Sequence, residues 1–137
     1  KKIYPRKLNI EIKPAKYIAK ISSRNYLFVG SNGKLIINKA VNKVLPLLFG
    51  EFNSDKFIEL KKIIDVSKFN FTELKSIIFY PSKRWDILTI DDILIKLPEK
   101  NLLESLEIAN KIINDSRFKE NKVIDLRITR NIIIQNE

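Results

Sequence analysis

The sequence has 137 residues, of which 45% are hydrophobic, and a formal net charge of +10. This length fits one domain, or one domain and part of another. Cysteine and histidine are both absent, which excludes disulfides and thiolate metal sites and removes the commonest general base and metal ligand. No apolar run approaches the roughly 20 residues that span a bilayer. No apolar signal-peptide segment follows Lys1 and Lys2.

The positive charge permits two interpretations. A basic nucleic-acid-binding domain is one hypothesis. However, the lysines are dispersed along the chain, and Lys, Ile and Asn, which share A/T-rich codons, are all frequent. This pattern favours a solvated basic surface.

The N-terminal part of the chain predicts four extended segments, at residues 8–12, 17–21, 26–29 and 34–37. Pro14 ends the first segment because proline cannot donate to a strand ladder. Gly30-Ser31-Asn32-Gly33 separates the last two segments. Since Gly and Asn-Gly adopt a positive φ at little cost, this sequence predicts a β-hairpin.

The middle of the chain predicts an apolar plug followed by a helix. Residues 45–50 (LPLLFG) form the plug, because their proline disfavours a helix and their glycine marks a turn. Asn53 or Ser54 can cap a helix that ends near Val66. Its apolar face consists of Phe57, Leu60, Ile63 and Ile64.

The next part predicts three more strands, at residues 75–80, 84–90 and 93–97. The last two form a second hairpin around Asp91 and Asp92. Pro98 and Glu99 suit the start of a second amphipathic helix, which continues to about Asp115. Hairpins imply mostly antiparallel pairing, so the prediction is an α+β fold in which two amphipathic helices pack on a mostly antiparallel sheet.

Residues 122–135 alternate in a way that is typical of strands with one buried face. Ile124, Leu126 and Ile128 form the apolar set, which leaves Asp125 and Arg127 on the opposite face. The pattern predicts either two short strands joined by a tight turn or one long bent strand. Asn131 is the candidate for a positive φ between them.

A strand at the end of a chain has no later strand to pair with, so it is expected at a sheet edge. The unpaired backbone groups of such an edge must either be protected from aggregation or pair with another chain. It is either an ordinary last strand or a docking edge for a strand of another protein. The sequence alone leaves both possibilities open.

The sequence contains only weak evidence for a catalytic or ligand-binding site. Asp91 and Asp92 are adjacent in a hairpin turn, where carboxylates are usually turn residues. The glycine-containing turn at residues 30–33 lacks the helix that a phosphate-binding loop requires. Lys83 and Arg84 beside Trp85 could bind nucleic acid by charge and stacking, or Trp85 could anchor the core beside two solvated cations. An enzyme, a cofactor and a metal site are not expected.

Six segments together resemble the bacterial cell-division family FtsQ/DivIB. In chain order they are residues 4–10, 17–21, 33–36, 45–50 (LPLLFG), 83–87 (KRWDI) and 124–127 (IDLR). The resemblance implies that residues 1–13 are the final strand of a truncated POTRA domain. It also implies that residues 14–137 are an FtsQ-type β domain, with a membrane anchor expected upstream.

The same resemblance implies a non-enzymatic scaffold of the divisome. It would be a single-pass inner-membrane protein whose periplasmic domain joins FtsB and FtsL at the septum and helps to control septal peptidoglycan synthesis. No nucleic acid is implied. The partner-binding residues carried over by position are Lys83, Arg84, Ile128, Thr129, Arg130, Asn131, Ile132 and Ile134.

Overall fold

The computed structural model describes residues 16–41, 43–118, 120 and 122–127, together with the backbone of residues 133–135. The predicted strand at residues 8–12, the predicted POTRA boundary at residue 13 and the positive φ expected at Asn131 all lie outside this part of the chain. Those three expectations therefore remain predictions.

Nine strands form one sheet in the described part of the chain, in the order β3-β2-β1-β4-β5-β6-β7-β8-β9. Their bounds are β1 Tyr17–Ile21, β2 Leu27–Gly30, β3 Leu35–Ile37, β4 Leu47–Phe49, β5 Leu74–Phe79, β6 Trp85–Thr89, β7 Leu94–Lys96, β8 Val123–Asp125 and β9 Ile133–Gln135. The antiparallel pairs are β1–β2, β2–β3, β5–β6, β6–β7 and β8–β9. The predicted α+β class with a mostly antiparallel sheet is confirmed, as are both predicted hairpins.

Helix α1 spans Ser54–Val66 and helix α2 spans Leu102–Ile113. Asn53 caps α1, because its side chain accepts a hydrogen bond from the backbone N–H of Lys56 at 2.7 Å. The predicted start of α2 at Pro98 and Glu99 is wrong. The residue before the helix is Asn101, whose φ of 61° is left-handed and whose side chain makes no capping hydrogen bond. The chain therefore turns sharply before α2 begins.

Both helices lie on the same face of the sheet. Each connects two neighbouring parallel strands, α1 between β4 and β5 and α2 between β7 and β8. Both connections advance in the same direction along the sheet, and such crossovers are almost always right-handed. The two helices are therefore placed side by side, and they contact each other. They cover a row of buried residues that runs across five strands: Leu48, Ile77, Ile87, Ile95 and Ile124.

The predicted apolar plug is a strand in the middle of the sheet. Strand β4 pairs in parallel with β1 on one side and with β5 on the other. The strand has only three residues, too few to show an alternation, and the proline before it and the glycine after it favoured a turn, so the pattern did not reveal a strand. Gly50 ends it with φ 93°, and a Cβ there would lie 2.1 Å from the carbonyl oxygen of Phe79. Only glycine fits this approach.

The prediction that β8 has one buried face is also wrong. Val123, Ile124, Asp125 and Leu126 are all buried. Strand β8 lies between β7, to which it is parallel, and β9, to which it is antiparallel. On one face Ile124 belongs to the buried row under the helices, and on the other face the Arg127 side chain hydrogen-bonds to Asp125. Asp125 is therefore a buried carboxylate and not part of a solvated face.

An aromatic cluster fills the core beneath α1. The ring of Phe57 lies 6.4 Å from that of Trp85 and 6.3 Å from that of Phe71. Phe52 and Phe79 also contact Trp85, with ring centroids 6.3 Å and 4.6 Å away. Because the rings are tilted relative to one another, they pack in the orientations that aromatic pairs prefer. The cluster holds the start of β6 firmly against α1.

Candidate functional site

Strand β9 is the last strand of the sheet in the described part of the chain. The predicted position of the C-terminal strand at a sheet edge is confirmed. Such an edge presents backbone N–H and C=O groups that no strand of the described sheet pairs, which is the chemical requirement for the addition of another strand.

The hydrogen-bond pattern shows which β9 residue faces outward. Leu94 N–H donates to the carbonyl of Lys122, and Leu126 N–H donates to the carbonyl of Lys96, both at 2.8 Å. Lys122 and Leu126, the residues on either side of β8, therefore bond to β7. Val123 and Asp125, which alternate with them, direct their backbone groups toward β9.

The β8–β9 register pairs Val123 with Gln135 and Asp125 with Ile133. Gln135 and Ile133 therefore use their backbone groups within the sheet, and the N–H and C=O of Ile134 point outward. Ile134 was among the residues carried over from the family. The remaining edge residues of that set lie outside the described part of the chain: Ile128, Thr129, Arg130, Asn131 and Ile132.

Lys83 and Arg84 lie in the turn between β5 and β6. Lys83 has φ 67° and donates its N–H to the carbonyl of Tyr80 at 2.8 Å. The Arg84 guanidinium lies over the Tyr80 ring at 5.6 Å. This turn is at the end of the sheet where β8 finishes, but β6 is separated from β9 by three strand spacings, about 14 Å. The structure therefore places Lys83 and Arg84 at the end of the sheet where β9 begins, but not at the β9 edge itself.

Trp85 is a core residue, with only 4% of its surface exposed. Its ring packs among phenylalanines, so it offers no face on which a base could stack. The interpretation of Trp85 as a core anchor beside two cations is confirmed. No observation in the described residues favours the nucleic-acid alternative.

Asp125 and Arg127 form an ion pair beside the edge strand, which was not predicted from the sequence. The Asp125 carboxylate accepts hydrogen bonds from the Arg127 backbone N–H at 3.1 Å and from its Nε at 2.8 Å. A third bond joins Arg127 Nη2 to Asp125 Oδ2. The hydrogen bonds from Arg127 lower the pKa of Asp125. The two-residue spacing of Asp125 and Arg127 could have indicated this pair, because residues two apart in an extended segment place their side chains on one face.

The same face carries a row of charged residues across three strands. Asp86 on β6 is opposite Lys96 on β7, which is opposite Asp125 on β8. Asp86 is 3% exposed, and its Oδ1 has no hydrogen-bond partner that the structure describes. Burial raises the pKa of Asp86, and the hydrogen bond with the Tyr80 side chain, followed by the charges of Arg84 and Lys96, opposes this shift only in part. This end of the sheet therefore combines two buried carboxylates with a larger number of cations.

The other sequence candidates have structural roles. Asp92 has φ 65° in the second hairpin turn and forms an exposed ion pair with Lys75 at 2.9 Å. Asp91 and Asp92 are therefore turn residues, as expected. In the first hairpin, Gly33 adopts the positive φ, at 83°. The chain then continues into β3 and not into a helix, so the turn has no phosphate-binding context.

A groove of about 800 Å³ lies at the opposite end of the sheet from the Lys83 turn. Tyr17, Leu45, Pro46 and Phe69 contribute to an apolar lining. Its charged residues include Lys61 and Asp65, which pair with each other at 2.6 Å. The groove offers apolar contact but no arrangement for acid–base chemistry among its described lining residues.

Comparison with known proteins agrees with this fold. The family model described as "Cell division protein FtsQ/DivIB, C-terminal" matches residues 18–127. No curated protein sequence shows a significant match to the chain. The fold is similar to a solved structure, that of the major extracytoplasmic domain of the trans isomer of the bacterial cell division protein DivIB from Geobacillus stearothermophilus. That match has 16% identity and a TM-score of 0.52, and it covers 74% of this chain and 92% of that chain.

Neither helix of the described part of the chain is long and apolar enough to cross a bilayer. The family match extends from β1 through Arg127 and so includes all but β9 of the described sheet. The structural match independently supports the same fold. The chain belongs to the FtsQ/DivIB family of bacterial cell-division proteins.

Proposed function

We propose that this chain is a non-enzymatic scaffold domain of the divisome. It is the extracytoplasmic part of a single-pass inner-membrane protein, with residues 1–13 ending an upstream POTRA domain. It recruits proteins of the FtsB and FtsL type by strand addition at β9 and thereby helps to control septal peptidoglycan synthesis. Family membership supports the role in cell division.

The observation that carries this proposal is the position of β9 at the edge of the sheet, with the backbone of Ile134 directed outward. A partner strand would extend the sheet through backbone hydrogen bonds. These bonds provide affinity that depends little on side-chain identity, and side-chain pockets provide specificity. The edge residues before Ile133 are proposed to continue the same contact: Ile128, Thr129, Arg130, Asn131 and Ile132.

The charge at this end of the sheet supports an acidic partner. Lys83 and Arg84 extend from the β5–β6 turn, and Lys96 and Arg127 lie between that turn and β9. The two buried carboxylates neutralise only part of this charge. Cations near an interface mainly accelerate association with an acidic partner. We therefore assign Lys83 and Arg84 to guiding the partner and the backbone of β9 to holding it.

The test compares two proline substitutions at neighbouring positions. Ile134→Pro removes an outward N–H, which an edge strand tolerates. Ile133→Pro removes an N–H that β9 directs toward Asp125, so it weakens the sheet itself. Binding of a synthetic peptide from the periplasmic end of the cognate FtsB-type protein is measured by calorimetry. Stability is measured in parallel by urea unfolding.

Ile134→Pro is expected to weaken binding at least tenfold, which corresponds to about 1.4 kcal/mol, without a change in stability. Ile133→Pro is expected to lower stability as well. A folded Ile134→Pro variant with unchanged affinity would contradict strand addition at β9. In stopped-flow measurements with the same peptide, Lys83→Asp combined with Arg84→Asp is expected to slow association. If the association rate does not change, these two residues do not belong to the site.

A further inference from the structure

Strand β3 is the opposite edge of the described sheet. Gly30 N–H donates to the Lys34 carbonyl, and Asn38 N–H donates to the Tyr26 carbonyl, both at 2.9 Å. Residues 34 and 38 therefore bond to β2. By the alternation of an antiparallel ladder, Leu35 and Ile37 direct their N–H and C=O groups away from the sheet.

The side chains of this edge are apolar and accessible. Leu35 is 55% exposed and Ile37 is 69% exposed. Protein edge strands are commonly protected by a charged residue, a proline or a bulge. Strand β3 consists of Leu, Ile and Ile, and it pairs with β2 without a register shift. It therefore has the outward backbone groups and the exposed apolar side chains that strand addition requires.

The charge of this half of the sheet indicates the kind of partner. Residues 16–50 include six cations and no Asp or Glu. The cations are Lys16, Lys20, Arg24, Lys34, Lys39 and Lys43. Lys34 directly precedes β3, Lys39 lies two residues after it, and both are exposed. A second copy of this chain would bring the same positive charge to the contact, which is unfavourable. A segment with carboxylates at its ends is complementary.

We propose that β3 is a second strand-addition edge, which binds an extended acidic segment of a partner protein with apolar side chains at alternate positions. This site is separate from the one proposed at β9. Eight strand spacings of about 4.8 Å separate the two edges, so they are roughly 38 Å apart. One sheet can therefore hold two extended segments at once without a clash between them.

The test uses amide NMR on the Ile134→Pro variant, so that the β9 edge is blocked and β3 is the remaining edge of the described sheet. The probe is a short synthetic peptide in which Val and Thr alternate between terminal Glu residues. The largest shifts are expected at the amides of Leu35 and Ile37. Added Ile37→Pro is expected to weaken binding at least tenfold. The matched control Ile37→Thr keeps the N–H and is expected to weaken binding no more than about threefold. These expectations follow from the direct role of the backbone in strand addition.

Three outcomes would overturn the proposal. Equal binding of Ile37→Pro and Ile37→Thr would show that the backbone is not used. Equal shifts with an oligothymidine, or with the same peptide carrying terminal Lys, would contradict an acidic polypeptide partner. Shifts at Leu35 on dilution without peptide would assign the edge to a second copy of the chain. Since β9 is blocked throughout, none of these results depends on the function proposed for β9.

Discussion

The ion pair between Asp125 and Arg127 can be tested against an internal control. Asp115 and Arg117 have the same spacing and the same pattern of bonds, with Arg117 N–H to Asp115 Oδ1 at 2.9 Å and Arg117 Nη2 to Asp115 Oδ2 at 2.7 Å. The pairs differ in burial. The side chains of Asp125 and Arg127 are 6% and 40% exposed, whereas those of Asp115 and Arg117 are 27% and 79% exposed. Arg127→Gln and Arg117→Gln therefore remove the same charge from different environments.

The expected loss for Arg127→Gln follows from the burial of Asp125. Removing one partner of a fully buried ion pair costs about 3–5 kcal/mol, because the other charge remains without compensation. The Arg127 side chain is 40% exposed, so water already screens part of the interaction. We therefore expect a loss of about 1–3 kcal/mol in the free energy of unfolding. We expect no resolvable change for Arg117→Gln, because exposed ion pairs contribute little.

The assay is urea unfolding, observed through the fluorescence of Trp85, the single tryptophan of the chain. The pKa of Asp125 is lowered in the folded state. The stabilisation is therefore complete above the ordinary carboxyl pKa and is lost as the pH falls through the folded value. The difference between the original chain and Arg127→Gln should shrink between pH 7 and pH 2.5. Equal effects of the two substitutions, or a difference independent of pH, would refute the reasoning.

Two further predictions concern Asp86 and Gly50. Asp86→Asn should stabilise the fold at pH 7. Burial raises the pKa of Asp86, so the stability of the original chain falls as the pH rises from the ordinary carboxyl pKa through the folded value. Urea unfolding from pH 4 to 7 should show no such fall in Asp86→Asn. A variant that is less stable than the original chain at pH 7 would contradict this prediction. Gly50→Ala should cost about 3 kcal/mol or more, because its Cβ would clash with the Phe79 carbonyl. Thermal unfolding of Gly33→Ala serves as the comparison: its Cβ would lie 3.2 Å from Ile58 Cγ1 and 3.8 Å from Ser54 Cβ, with no backbone clash, so only the strain of its positive φ of 83° and a small side-chain shift are expected, and the loss should be smaller than for Gly50→Ala.

Local patterns predicted most elements because their causes are local. Gly33 and Asp92 provide the positive φ of the two hairpin turns. Asn53 caps α1 through a bond three residues along the chain. Apart from the start of α2, the errors fall where burial is decided by distant neighbours. Strand β4 and the two-sided burial of β8 depend on strands far away in sequence.

The candidate site was predictable in part. The edge position of the last strand follows from chain order, and the structure confirms it. The outward direction of Ile134 depends on which β8 residues bond to β7, and that register is a property of the assembled sheet. The edge at β3 was not predicted, because a hairpin strand gives no local sign of whether a third strand will cover it.

The amino-acid sequence by itself determined the class of fold, the hairpins, the helices and the family, since turn chemistry, periodicity and motif order act over short distances. The tertiary structure alone decided the order of the strands. It thereby decided which backbone groups face outward at β3 and β9 and which carboxylates are buried at Asp86 and Asp125. The physical reason is that a strand's exposure depends on its neighbours in space, and loops of many residues separate those neighbours along the chain.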